Sequence, residues 1–354
     1  MAIKKRAAEM KETWETILKR VVLPPKSAEE IFEAAVRRTR KVSSNLRTLQ
    51  EIKRTEEKRV ISASKYVSNL LKQVALRSPF IEDLHPFYRE LVEVNIDVDE
   101  YKLCLARVYT TSRLVAKIGR EEAKKIVFSV TMKEARTARR RFFGRLKSLL
   151  DELEPCLQKL RETFRELKKI PDINPEVFSL IIAGAPNVGK SSLLKALTRA
   201  KPEIREYPFT TKQLIIGHLE LGTQRIQVID TPGLLDRSLH DRNKIELNAI
   251  LALKHLKGVI VYIFDPTETA GYPIHYQLNV YKEISSYIRS VPLIPVANKV
   301  DILSHNKLKA FLSILPAKDL KKLIFISALH KINIDFLLEQ VAGYLGVGAS
   351  DKPI

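Results

Sequence analysis

Cysteine is scarce in this chain of 354 residues: there are two, Cys104 and Cys156. They fall far apart in sequence, in segments that read as helices. Two buried small hydrophobes in a reducing compartment fit them better than a disulfide or a metal site. The seven histidines show no ligand spacing with them. No apolar run approaches the roughly 18 residues of a membrane span. The first residues, MAIKKR, carry charge with no apolar stretch behind it, so no secretory signal is read and a cytoplasmic location is expected. Acid is the other shortage. The formal net charge is +20, and the deficit is uneven. Residues 1–170 hold 39 Lys and Arg against 24 Asp and Glu, whereas residues 171–354 hold 22 against 17. An excess of that size beside an ordinary domain points to a large polyanion, nucleic acid before an anionic membrane.

Glycine is also sparse, with 12 in the chain, which gives weight to where it stands. Residues 184–192 read GAPNVGKSS, with the spacing of a phosphate-binding P-loop. An apolar run, 177–183, precedes it and a helical pattern follows from Leu193. Gly184 and Gly189 let the backbone curl around phosphate oxygens, with Pro186, Asn187, Val188 and Ser192 completing the loop. Lys190 reaches the outer phosphates and the Ser191 hydroxyl ligates Mg²⁺. A second strand, 225–230, ends in Asp230, followed by Thr-Pro and Gly233. Asp230 is expected on the metal side, and the Gly233 N–H is expected free to sense the γ-phosphate. A third strand runs into Asn298, Lys299 and Asp301. One carboxylate can accept two parallel hydrogen bonds from guanine, a pair adenine does not offer, so Asp301 selects guanine. Asn298 braces that loop and the Lys299 stem covers the base. Ser327 and Ala328, at a fourth strand end, offer backbone N–H to guanine O6. Together these elements predict GTP binding with Mg²⁺ and hydrolysis to GDP.

The expected fold is a helix bundle over 1–170, a linker at 171–175, a doubly wound and mostly parallel α/β domain over 176–348, and a tail at 349–354. Long helices are expected over 43–77, over 101–118 ending near Gly119, and from 121 to about 153, with Pro155 kinking or breaking the pattern. The loop 205–212 holds Thr210 and Thr211, and either can be the switch threonine that meets Mg²⁺ and the γ-phosphate. Where many GTPases place a water-orienting glutamine, this chain has Leu234, which predicts slow turnover without a partner. Asn187 resembles the P-loop asparagine of GTPases in which a potassium ion bridges the phosphates; stabilising the loop turn is the equal alternative. The run 133–147 gathers Lys133, Arg136, Arg139, Arg140, Arg141, Arg145 and Lys147, with Glu134 the only acid inside it. It is the candidate for phosphate-backbone contact, with RNA shape read in the absence of an aromatic platform.

The motifs GAPNVGKSS, YPFTTKQ, DTPGLLDR and NKVD together resemble the Obg-like GTPases. The stretch YPFTTKQLIIGH at 207–218, the residues 241–253, and the helical segments at 85–88 and 97–103 are similar to the nucleolar GTP-binding protein (Nog) branch. That resemblance implies a GTPase acting in large ribosomal subunit assembly, and a monomer is expected. Its helical domain would dock on ribosomal RNA within precursor particles; separately, with no lipid-anchor or amphipathic membrane segment in the sequence, no membrane partner is expected, nor is DNA. Eukaryotic members continue well past the GTPase domain, so a compact archaeal or other prokaryotic member is expected. Two other readings stand beside it: a GTP-occupied RNA-binding scaffold with negligible turnover, and a GTPase serving transfer RNA.

Overall fold

The computed structural model describes residues 13–40, 48–198, 203–206, 213–239, 242 and 244–345. Its helices and strands sort into two compact units. One holds Glu15–Asp83 and Ile96–Lys168. The other holds Leu84–Asn95 together with the chain from Lys169 onward.

The first unit is a set of packed helices: α1 (Trp14–Arg20, its first residue grouping with the other unit), α2 (Ala28–Arg40), α3 (Leu49–Leu76), and, after α4 (Pro86–Asn95) of the other unit, α5 (Val98–Phe128) and α6 (Met132–Leu167). Local chemistry sets their starts. Thr48 and Glu51 form a reciprocal capping box at α3, and Asp97 caps α5 through the Glu100 N–H. Each helix buries one stripe, such as Val60, Val67, Leu71 and Val74 on α3. On α5 the stripe includes Leu105, Val108, Val115 and Ile126.

Three expectations change here. The helix begun near residue 98 does not end at Gly119; it runs on to Phe128. A Cβ at position 119 would lie 2.4 Å from the Ser64 side chain, so this glycine lets α3 and α5 approach closely rather than stop a helix. The pattern from 121 onward is two helices, because Thr131 caps a new start by accepting the Glu134 N–H at 3.2 Å. Pro155 lies inside α6 without ending it. Buried Leu150, Leu153, Leu157 and Leu160 keep one apolar stripe across the proline. Cys104 and Cys156, far apart in sequence, are both buried and free. They come within hydrogen-bonding reach of each other, and burial pushes the Cys104 thiol up to about 12.

The second unit is a seven-stranded sheet in the order β2-β3-β4-β1-β5-β6-β7. Its strands are β1 (Ser179–Ala183), β2 (Glu203–Glu206), β3 (Gln213–Leu221), β4 (Gln224–Asp230), β5 (Gly258–Phe264), β6 (Leu293–Ala297) and β7 (Ile324–Phe325). All neighbours pair in parallel except β2–β3 and β3–β4. Short β2, not expected from its polar sequence, extends the hairpin side. The helices are α7 (Lys190–Leu197), α8 (Lys244–Leu251), α9 (Ile274–Tyr287), α10 (His305–Ile314), α11 (Ala317–Leu320) and α12 (Ile334–Tyr344). The core joins Leu180, Ile182, Val228, Val261 and Val296 of the sheet with Leu193, Leu197 and Leu337 of the helices. Burying such side chains contributes about 1.5–3 kcal/mol each.

Helix α4 (Pro86–Asn95) belongs to this second unit, although α3 and α5 flank it in sequence. Tyr88 bonds the Ile173 backbone, and Glu90 pairs with Lys254 at 2.7 Å and His255 at 2.9 Å.

Candidate guanine-nucleotide site

The site forms at the carboxyl ends of β1, β4, β6 and β7, where the loops of a parallel sheet converge. Strand β1 delivers the chain into Gly184, and α7 begins at Lys190 behind Gly189, which takes a left-handed φ of 107°. A Cβ there would sit 2.2 Å from the Asn298 amide, so the loop and the β6 end close together only around a glycine. Pro186, Val188 and Ser192 lie in or beside that turn, and Asn187 is exposed with φ 61°.

Lys190 is buried and donates to the carbonyls of Gly184 and Ala185, both at 2.8 Å. Burial lowers its pKa, with Asp236 and Asp230 acting in the opposite direction. The Ser191 hydroxyl donates to Asp230 Oδ2 at 2.8 Å. Asp230 Oδ1 is buried with no hydrogen-bond partner, and burial pushes this carboxyl above the usual carboxylate range. A buried, unsatisfied carboxylate oxygen beside a hydroxyl is a donor set for a hard cation, so these residues fit Mg²⁺.

Gly233 differs from expectation. Its N–H is not free: it donates to Asp236 Oδ2 at 2.7 Å. Asp236 in turn faces Arg242 at 3.4 Å. Arg242 also donates to the carbonyls of Gly233 and Leu234 at 2.6 and 2.9 Å. Leu234 and Leu235 are fully buried, and the Leu235 carbonyl accepts the Gly184 N–H at 3.1 Å. Sequence reasoning missed Asp236 and Arg242. Their signal was a charge of each sign six residues apart beside a glycine. Thr210 and Thr211 lie outside the described residues.

At the base-recognition end, Asn298 donates to the Val188 carbonyl at 2.8 Å and accepts the Ala328 N–H at 2.9 Å. It thereby ties the P-loop to the β7 end. Lys299 has φ 63° and its ammonium pairs with Asp265 at 2.7 Å, also reaching Thr269 at 2.9 Å. Asp301 is held below the usual carboxylate range, first by a hydrogen bond from Ser327. The Ser327 N–H donates to the Ile332 carbonyl at 3.2 Å, so the backbone N–H groups of both Ser327 and Ala328 are engaged within the loop.

The basic run stands on α6, in the other unit, and is less free than its own sequence implies. Arg139 meets Glu56 of α3 at 3.3 Å, and Arg141 and Arg145 face the fully buried Glu122 of α5 at 4.0 Å. Lys147 pairs with Glu29 and Asp151. Lys133, Arg136 and Arg140 are exposed and have no ion pair among the described residues.

The parallel sheet, the glycine-framed loop at a helix start and the paired Ser191 and Asp230 define the P-loop GTPase class of α/β domain. Residues 18–174 match the family described as the NOG1 N-terminal helical domain, and residues 244–301 match that of nucleolar GTP-binding protein 1 (NOG1). The chain belongs to the nucleolar GTP-binding protein 1 family. An uncharacterized Methanocaldococcus jannaschii protein is 38% identical over 79% of this chain and 80% of its own length. Nucleolar GTP-binding protein 1 of Encephalitozoon cuniculi is 36% identical over 73% of this chain but 48% of its own length. The Dictyostelium discoideum relative is 36% identical over 65% of this chain and 34% of its own. The chain thus spans half or less of these two named relatives. A solved Plasmodium falciparum chain, a candidate nucleolar GTP-binding protein 1, shares 33% identity over 50% of this chain and 90% of that one, with a TM-score of 0.42.

Proposed function

We propose that this protein binds and hydrolyses GTP and uses the nucleotide to control docking on large-subunit ribosomal RNA during particle assembly. What carries the nucleotide reading is the link through Asn298, which holds the phosphate loop and the base loop as one frame. Lys190 would trade its two carbonyl partners for phosphate oxygens, which charge makes the stronger acceptors. Asp301, whose carboxyl Ser327 holds below the usual range, would accept the two guanine donors. Ser191 and Asp230 would hold Mg²⁺, which neutralises charge developing on the phosphates. Thr210 or Thr211 would close over the γ-phosphate as the switch threonine.

Turnover is slow on this account, because the fully buried Leu234 side chain cannot orient water. A partner, or potassium held near Asn187, would complete the site. The positive charge concentrated in residues 1–170 supports the RNA role, and the nucleolar names of relatives are consistent with it. Among the described residues no helix is long and apolar enough to cross a membrane.

Crosslinking the protein to RNA in its own cells and sequencing the bound fragments tests this reading. It predicts fragments clustered on a few large-subunit sites. Fragments of transfer RNA instead, or none above background, would defeat the ribosomal assignment.

A further inference from the structure

The cations of the helical unit are not equally available. On α6 four of the seven picked out by sequence face carboxylates from Glu56, Glu122, Glu29 and Asp151. The packed pair α3 and α5 is different. Residues 58–77 of the first segment and 101–120 of the second contain no Asp or Glu at all, yet each holds five Lys or Arg, of which Arg59 and Lys102 pair with Glu56 and Glu82 outside these stretches. These two acid-free stretches are brought side by side, as the Gly119–Ser64 contact requires. Between them runs a groove of about 590 Å³ lined by Ser68, Lys72, Thr110, Arg113, Lys117 and Arg120, with no carboxylate in its walls. Lys72, Arg113, Lys117 and Arg120 are exposed and form no ion pair among the described residues. Arg113, Lys117 and Arg120 follow at helical spacing on one face, a rise of ~10 Å from first to last.

We propose that this α3–α5 face, rather than the α6 run, is the main RNA-backbone contact of the protein. The inference rests on the RNA-binding reading above and adds where that binding occurs. Charge complementarity argues for the occupant. A groove of unpaired ammonium and guanidinium groups with hydroxyls between them matches a line of phosphates and 2′-hydroxyls. It offers no aromatic platform for unstacked bases beyond Tyr109, so an A-form duplex read by its backbone is the fitting partner. The α6 cations that face carboxylates, Arg139, Arg141, Arg145 and Lys147, are partly compensated, so they release fewer counterions and contribute less.

The test uses the full chain with GTP and Mg²⁺, and a fluorescein-labelled 24-base-pair RNA duplex as probe. Anisotropy gives Kd from 50 to 200 mM KCl. Two triple variants are compared with the parent: Lys72→Gln, Arg113→Gln, Lys117→Gln on the face, and Lys133→Gln, Arg136→Gln, Arg140→Gln on α6. Guanine-nucleotide affinity serves as the folding control for both. Each phosphate contact contributes roughly 0.7–0.9 to the slope of log Kd against log salt. The face triple is expected to lower that slope by about 2 and to weaken binding at least tenfold at 50 mM KCl, with the α6 triple changing it by less than half as much. A larger loss from the α6 triple, or equal losses from both, overturns the assignment to this face and leaves RNA binding intact. If the parent chain does not bind the duplex at 50 mM KCl, the RNA reading itself fails and this inference with it.

Discussion

Replacing Asp236 removes the carboxylate that now accepts the Gly233 N–H. On the proposed reading a γ-phosphate takes that same N–H, so Asp236 should compete with GTP but not with GDP, which lacks the third phosphate. The bond is charge-assisted and the Asp236 side chain is only 13% exposed, so it is weakly screened. A hydrogen bond to a charged group contributes about 1.5–3 kcal/mol, and each 1.4 kcal/mol is tenfold in affinity. Asp236→Ala should therefore raise the ratio of GTP to GDP affinity by roughly tenfold to a hundredfold. Asp236→Asn keeps an acceptor without the charge and should fall between that variant and the parent. Arg242 stays anchored through the Gly233 and Leu234 carbonyls in both variants, so the loop keeps its path. Stopped-flow binding of fluorescent GDP and a non-hydrolysable GTP analogue gives the ratio directly. A ratio unchanged in Asp236→Ala, with the thermal midpoint preserved, would refute the competition.

Asp230→Asn should leave the nucleotide-free protein as stable as the parent or more so, since burial raises this carboxyl and favours its neutral form. The sign follows: a carboxyl raised in the folded state loses stability as pH climbs through its range, and the amide carries no such loss. The same variant should abolish stabilisation by Mg²⁺ with GTP in a thermal-shift assay. Gly119→Val should cost about 1–3 kcal/mol by chemical denaturation, because its Cβ would strike Ser64, and Ser64→Gly should recover part of it. The Cys104 thiol, raised to about 12 by burial and by Cys156, should resist alkylation at pH 8.5 until the chain unfolds. Labelling at the rate of a free thiol would contradict that environment.

The phosphate loop and the base-recognition loop were legible because their chemistry is local. Gly184, Lys190, Asp230 and Asn298 stand in short runs whose spacing alone implies a strand end and a turn. The helices were legible as elements but not always at their limits. Gly119 reads as a stop, and only the crossing against Ser64 shows it to be a contact. The Thr131 cap was written in the sequence, with Glu134 three residues on, and was masked by a continuous apolar pattern on both sides. Three features could not be read at all, since they join distant residues. Glu56 and Glu122 face α6 cations from other helices, α4 packs with the sheet unit, and Asp236 folds back onto Gly233. Charge counted along one segment misses acids supplied across a helix interface.

Guanine specificity of the site is probed by exchanging the residue that meets the base. Calorimetric titration with GTP, ATP and XTP would compare the parent with Asp301→Asn. The parent should prefer GTP over ATP and XTP. The variant should lose GTP and gain XTP, because the asparagine amide can donate to the xanthine 2-oxo group. An Asp301→Asn protein that still prefers GTP over XTP would contradict the assignment of Asp301, and a parent that binds ATP as well as GTP would contradict guanine specificity itself.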